Sequence, residues 1–305
     1  MASTFDYAIR MCILAMALLI FFQARFYFTM QKQSKRISTD ISLIRNYSGR
    51  IQEQLAKVYN FKNVSAVTMV IPKGNGTETL PKCPETPPNL VGPLKTYQNP
   101  PSLEKMELEL DYLNPGGHYV PLECRTNQRV AIVIPYRNRP IHLRTVLYNL
   151  HHMLPRQQLD YGIFVIEQAG DNTFNRGLLM NIGFVEALHS YNFTCFVFHD
   201  VDLIPEDDRI YYGCGTGPRH LSAAIDKFSY RLPYPSIAGG VTQLRRTDFE
   251  KINGFSNLFF GWGGEDDDLS TRMRAASLKM QRYSMTISRY KMIKHQQEKS
   301  NPTQS

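Results

Sequence analysis

Three apolar stretches separated by helical patterns restrict the fold most. They are RVAIVIPYR (129–137), YGIFVIEQ (161–168) and FTCFVFHDVD (193–202). Continuous runs of β-branched and aromatic residues at this length are strands covered on both faces. Between the first two, RPIHLRTVLYNLHHMLPRQ places Leu143, Leu147, Leu150 and Leu154 on one helical face. Between the second and third, NRGLLMNIGFVEALHSY predicts a helix with Leu178, Ile182 and Val185 inside. This alternation predicts an α/β fold with βαβ units and a mostly parallel sheet. Ligands of such sheets bind beyond the carboxyl ends of the strands, where PYRNR and HDVD fall.

The 305 residues are 43% hydrophobic, enough for a sizeable core. A net charge of +8 suits nucleic acid, a membrane surface or phosphate-bearing substrates. There is no nucleic-acid-binding signature and no sustained basic helix, so nucleic acid is not an expected partner. MCILAMALLIFFQA (11–24), extended by RFYFTM, approaches the about 20 residues that cross a bilayer. No small-residue cleavage site follows it. An uncleaved anchor over 11–30, after a cytoplasmic tail over 1–10, is therefore favoured over a signal peptide.

Orientation signals conflict. Arg25, Lys32, Lys35 and Arg36 follow the span and by the positive-inside rule hold the body in the cytoplasm. Sequons at Asn46, Asn63, Asn75 and Asn192 argue for a lumenal body. So do the cysteines. Cys12 lies in the span, which leaves Cys83, Cys124, Cys195 and Cys214. None has CxxC spacing, so two disulfides in an oxidising lumen explain them better than zinc. The expectation is a lumenal body. Residues 31–80 read as a polar stem with helical periodicity at Ile41, Ile44, Ile51 and Leu55, and the proline-rich 81–101 as an extended lead-in.

The strand ends carry the chemistry. Alternation puts Asp200 and Asp202 on one side of the third strand. Paired carboxylates there suit a hard divalent cation on a diphosphate, or simply start a solvated turn. Arg137, Arg139 and Arg176 collect at the same edge, where guanidinium forks suit anionic oxygens. Met292 and His295 stand three apart and share a face of a helix or tight turn. By residue type alone, methionine there is core and histidine surface. GWGGEDDDLSTRM (261–273) sets Glu265, Asp266, Asp267 and Asp268 at a helix start, where acidic residues favour the dipole. Four carboxylates behind Gly-Trp-Gly-Gly exceed what capping requires, and the glycines admit unusual backbone angles.

Taken in order, IPYRNRPIHL, AGDNTFNRGLLMNIGF, FVFHDVDLIP, INGFSNLFFGWGGEDDDL and RYKMIKH resemble the β-1,4-galactosyltransferase family over roughly residues 81–295. The resemblance implies a GT-A (Rossmann-like) glycosyltransferase domain over 81–305. It also implies a type II Golgi membrane protein, and an inverting, Mn²⁺-dependent transfer from a UDP-sugar to a GlcNAc-type acceptor. It assigns Asp202, Met292 and His295 to the metal, reversing the reading of the Met–His pair. It assigns Pro135, Tyr136, Arg137, Arg139, Phe174 and Arg176 to the nucleotide, although many members carry Phe where Tyr136 stands. Asp200, Lys227 and Trp262 go to the donor's sugar and phosphates. Asp266 matches the general base, and Tyr234, Gly263, Gly264, Glu265 and Asp267 shape the acceptor pocket. Cys83–Cys124 and Cys195–Cys214 match the family's disulfides.

Two departures bear on activity. Ile237 stands where galactose-transferring members carry a tyrosine beside the donor's C2 group, and Ala238 replaces a common Phe. The shorter Ile237 implies UDP-GalNAc as donor, as in the family's β-1,4-N-acetylgalactosaminyltransferases, with UDP-Gal the alternative. The family also continues for several tens of residues beyond its histidine ligand, whereas this sequence stops at Ser305. The segment beyond would complete a mobile lid that closes on the donor. The second class of reading is therefore a C-terminally truncated, non-catalytic form that binds UDP, glycans or a partner membrane protein.

Overall fold

The computed structural model describes residues 80–114 and 116–294. The tail, the anchor, the stem up to residue 79, Cys12, three sequons (Asn46, Asn63 and Asn75) and His295 lie outside the described residues. Among the described residues, no helix is long and apolar enough to cross a membrane.

The lead-in is irregular, as its prolines require. It is fastened to the body by Asp208, whose carboxylate accepts from the backbone N–H of Val91 and of Gly92, each at 2.8 Å. A disulfide joins Cys83 to Cys124. Helix α1 (Leu103–Glu109) starts at Ser102, whose hydroxyl accepts from the N–H of Lys105. Strand β1 (Arg129–Tyr136) is buried at all but its two end residues. Helix α2 (Pro140–Met153) opens on proline, at a position where a missing N–H costs nothing. Strand β2 (Asp160–Glu167) pairs with β1 in parallel. Helix α3 (Arg176–Ser190) is capped by the Asn175 side chain, which accepts from the N–H of Leu178. Strand β3 (Cys195–His199) joins the other edge of β1, also in parallel. Three short strands follow, β4 (Leu203–Pro205), β5 (Arg219–His220) and β6 (Ala224–Ile225). Next come β7 (Val241–Arg245), α4 (Arg246–Lys251), α5 (Glu265–Ala275) and β8 (Arg289–Met292).

The main sheet has the order β2-β1-β3-β7-β5. The expected parallel arrangement holds for β2, β1 and β3 only; β7 runs antiparallel to β3, and β5 antiparallel to β7. A parallel pairing needs a crossover, usually a helix. The chain between β3 and β7 holds only short strands and a single 3₁₀ turn, and it returns antiparallel. A second sheet, β4-β8-β6, is built from that excursion and the strand carrying Met292.

Alternation along β1 divides the core into two layers. Val130, Ile132 and Ile134 pack with Val146, Leu150 and Leu154 of the α2 region. Ala131 and Val133 pack with Met180 and Phe184 of α3, Phe249 of α4 and Leu269 of α5. The α2 face is as expected, with Leu150 and Leu154 fully buried and Leu143 and Leu147 half-buried. The α3 face is not. Ile182 and Val185 are exposed and Leu178 half-buried, while Leu179, Met180, Gly183 and Phe184 are buried. Close approach decides this. A Cβ on Gly183 would lie 2.9 Å from Cγ1 of Ile166 and nearer still to Cγ1 of Val133. The helix therefore turns its glycine face to the sheet.

Candidate active site

A cleft of about 510 Å³ opens beyond the carboxyl ends of the parallel strands. It gathers the residues that follow β1, precede α3 and follow β3. Pro135, Arg137 and Arg139 line it, as do Phe174 and Arg176. Asp200, Asp202 and Met292 do so from the second sheet's side of the chain, together with Lys227, Tyr234 and Ile237. The segment Trp262–Asp267 contributes each of its residues. Tyr136 is the exception: as the last residue of β1 it packs against the α2-side core instead. Its position in the pleat turns it away from its neighbours Pro135 and Arg137.

Arg176 organises the charges. Its Nε donates to Oδ1 of Asp200 at 2.6 Å, and Nη1 stands 3.4 Å from Oε1 of Glu265. Burial opposes its charge, but Asp200 and Glu265 more than offset that and raise its pKa. Arg137 donates to the carbonyl of Asn172 at 2.6 Å and lies over the ring of Phe174.

Asp200 and Asp202 lie in a turn after β3, which ends at His199. Strand alternation is thus not what brings them to the cleft. The turn is held by the N–H of Asp200 on Gly240 O at 3.1 Å and the N–H of Leu203 on Asp200 O at 3.4 Å. Asp202 is 7% exposed. Met292 sits in a strand rather than a helix or tight turn. Antiparallel pairing sets Leu203 opposite Met292, and the N–H of Ile293 donates to Asp202 O at 2.8 Å. The pairing brings the two backbones together, and both Asp202 and Met292 line the cleft. Asp226 Oδ1 fixes the Met292 N–H at 2.8 Å. Among the described residues, no cluster of three His, Cys, Asp or Glu forms a metal cage.

The segment before α5 needs its glycines. Gly261, Gly263 and Gly264 have φ of +91°, +101° and +97°, a region that side chains resist. A Cβ on Gly264 would also come within 2.7 Å of the Phe259 ring. The four carboxylates then take separate places. Glu265 is buried, and its Oε2 has no hydrogen-bond partner among the described residues. Burial raises its pKa, opposed by Arg176 and aided by Asp266. Burial likewise raises the Asp266 carboxyl, opposed by Arg176 and aided by Asp267. Asp267 accepts from the Tyr234 hydroxyl at 2.9 Å. Asp268 pairs with Arg272 one turn on, at 2.5 Å, and plays the helix-start part.

Sequence reasoning missed His220, Ser222 and Gly239, which also line the cleft. Their partners are backbone carbonyls and distant side chains, which leave no local pattern. Phe228, also missed, adjoins Lys227 and was findable from that neighbour.

Two adjoining family models match the chain. One, the N-terminal region of glycosyl transferase group 7, covers residues 83–215, and the other, the N-terminal domain of galactosyltransferase, covers residues 219–296. Mouse β-1,4-galactosyltransferase 1 is 48% identical over 235 residues. The chain belongs to the β-1,4-galactosyltransferase family.

Human β-1,4-galactosyltransferases 1 and 3 are each 49% identical over 224 residues. These alignments cover 73–77% of this chain but 56–59% of the relatives, so the chain spans less than two thirds of their length. The catalytic domain of Drosophila β-1,4-galactosyltransferase 7, solved with xylobiose, is similar at a TM-score of 0.50 and 30% identity. That likeness covers 55% of this chain and 71% of that one. The two disulfides that membership of the β-1,4-galactosyltransferase family implied are both formed, Cys83–Cys124 and Cys195–Cys214.

Proposed function

We propose that this chain is an inverting glycosyltransferase that moves galactose from UDP-Gal in β1,4 linkage onto a terminal GlcNAc-type acceptor. The observation that carries this reading is Asp266. It is a carboxylate with a raised pKa at a helix start, in the same cleft as three arginines and the Asp202–Met292 pair. A raised pKa makes a carboxylate a better proton acceptor near neutral pH. Asp266 takes the proton of the acceptor's 4-hydroxyl as its oxygen attacks the anomeric carbon from the face opposite UDP. Arg137, Arg139 and Lys227 hold the diphosphate. Asp200, locked by Arg176, is placed for the donor sugar, and Tyr234, Glu265 and Asp267 bound the acceptor.

Asp202 and Met292 fit a share in an Mn²⁺ site, with His295 as the third protein ligand. Their place in the lining of one cleft supports this. When bound, the ion neutralises charge on the departing diphosphate. The test is transfer from UDP-Gal to a GlcNAc acceptor with and without chelator. Mn²⁺-dependent product is expected; a folded, Mn²⁺-loaded protein that makes none favours the UDP- or glycan-binding form.

UDP-GalNAc is a second reading, favoured by one residue. Ile237 lines the cleft and is half-buried there, and it offers no hydroxyl and less bulk than tyrosine. The named relatives are galactosyltransferases, so UDP-Gal is the leading donor. Competing the two nucleotide sugars decides it, and Ile237→Tyr should move preference toward UDP-Gal. We further propose a type II Golgi membrane protein with a lumenal catalytic body. The two disulfides and the exposed sequon at Asn192 support that placement.

A further inference from the structure

The segment Tyr234–Gly240 carries Ile237 and borders Asp266, yet it contains no strand or helix. A turn starts it, with the N–H of Ile237 on Tyr234 O at 3.3 Å. Near its end the Thr242 hydroxyl donates to Ala238 O at 2.5 Å, and its other anchors come from far along the chain. Arg282 Nη2 donates to the carbonyls of Pro235 and Ile237, at 2.9 and 2.8 Å. Its Nε donates to Nδ1 of His220 at 3.1 Å. His220 Nε2 contacts Gly239 O at 2.9 Å. A carbonyl only accepts, so Nε2 carries the proton, and Nδ1 is left as acceptor for Arg282. Burial first, then Arg282, lowers the His220 pKa to about 4, which keeps this tautomer neutral. Ser222 Oγ adds a bond to Gly239 O at 3.2 Å and accepts from the N–H of Val241.

The segment's far end touches the base. A Cβ on Gly239 would lie 3.3 Å from Cγ of Asp266 and closer to its Oδ2. Whatever sets the height of Gly239 sets the room left for that carboxylate.

We propose that Arg282 and His220 form a brace of positioning residues that jointly sets Ile237 against the donor sugar and Asp266 against the acceptor hydroxyl. The inference rests on the functional reading above. One guanidinium reaches three acceptors from a planar fork, and a lysine ammonium at the end of a flexible stem does not reproduce that geometry. Donor selectivity and proton abstraction are thereby linked through one segment. Arg282 is only half-buried, so its replacement leaves the core intact.

The test compares Arg282→Lys and Arg282→Ala with the unmodified protein. It uses UDP-Gal and UDP-GalNAc as donors, GlcNAc as acceptor, and calorimetric binding of UDP with Mn²⁺. Expected are a fall in kcat on the order of ten- to a hundredfold, as small misplacements produce, and a changed ratio of kcat/KM between the donors. UDP affinity should hold, and added guanidinium should partly rescue Arg282→Ala. Hydrogen exchange of the 235–240 amides should quicken in both variants. Transfer by the unmodified protein with unchanged kcat and donor ratio in both variants overturns the brace alone. Equal loss of UDP affinity also overturns it, since that marks a general structural role. No transfer from either donor by the unmodified protein overturns the functional reading, and this inference with it.

Discussion

Asp266 and Gly239 face each other across a gap with no room for a methyl group. Two predictions follow from that contact. Asp266→Asn keeps the shape and removes the proposed base, so kcat should fall by about 10²–10⁴, the usual span for general-base loss, with UDP binding retained. Gly239→Ala should displace the carboxylate and lower kcat on the order of a hundredfold. In an Asp266→Asn background the same alanine should cost little more, because neighbours sharing one function do not add. Steady-state kinetics of the three variants checks this, and full additivity would show that Gly239 acts elsewhere. The acid limb of kcat/KM should also stand above the ordinary aspartate value of 3.8, since burial raises this carboxyl. Little of this pairing was legible in the sequence. The GWGGEDDD stretch announced a site, but which carboxylate was buried, which bonded to Tyr234 and which merely paired with Arg272 depends on helix phase and distant contacts.

At the scale of elements, the contact between α3 and β1 is the clearest case of packing deciding orientation. Gly183→Ala gains up to about 1 kcal/mol of helix propensity. Against this, its methyl would stand well inside contact distance of Val133 and Ile166. Overpacking costs about 1–3 kcal/mol, so the variant should be less stable, read as a lower denaturant midpoint. A higher midpoint would mean the helix stands off the sheet. The same contact explains a misreading. Ile182 and Val185 look like a buried face by hydropathy, yet glycines mark the buried side because they let backbones approach. Strands β1 and β3 were legible because burial on both faces makes them continuous apolar runs; β2, at the sheet edge with Val165 exposed, was legible by its apolar residues without being covered on both faces as expected. Strand β5 was not, being two residues long, nor was β7, which carries polar Thr242 and Gln243. The antiparallel half of the sheet was lost with them.

At the scale of the molecule, three buried histidines tie stability to pH. His151, His199 and His220 are each at most 5% exposed, and burial lowers each pKa from 6.5 to about 4. All three have hydrogen-bond partners, the Tyr161 hydroxyl, the Tyr212 hydroxyl and Gly239 O respectively. Between about pH 6.5 and 4 the unfolded chain therefore binds protons that the folded protein refuses. Their contribution is fully present above pH 6.5 and is lost as pH falls through that window. Each accounts for up to about 3 kcal/mol. Glu265 and Asp266 act in the opposite sense, because their raised pKa values make the folded state the better proton acceptor. Arg176 opposes both carboxyl shifts, and three histidines stand against two carboxyls, so the histidines prevail even though Asp200 opposes the His199 shift and Gly239 O that of His220. The urea midpoint should fall steadily from pH 7 to pH 4.5. His151, remote from the cleft, gives the control: His151→Gln should flatten the slope without altering the acid limb of catalysis. A midpoint that held level or rose on acidification would mean that the carboxylates of the cleft, not the buried imidazoles, govern the protein's response to acid.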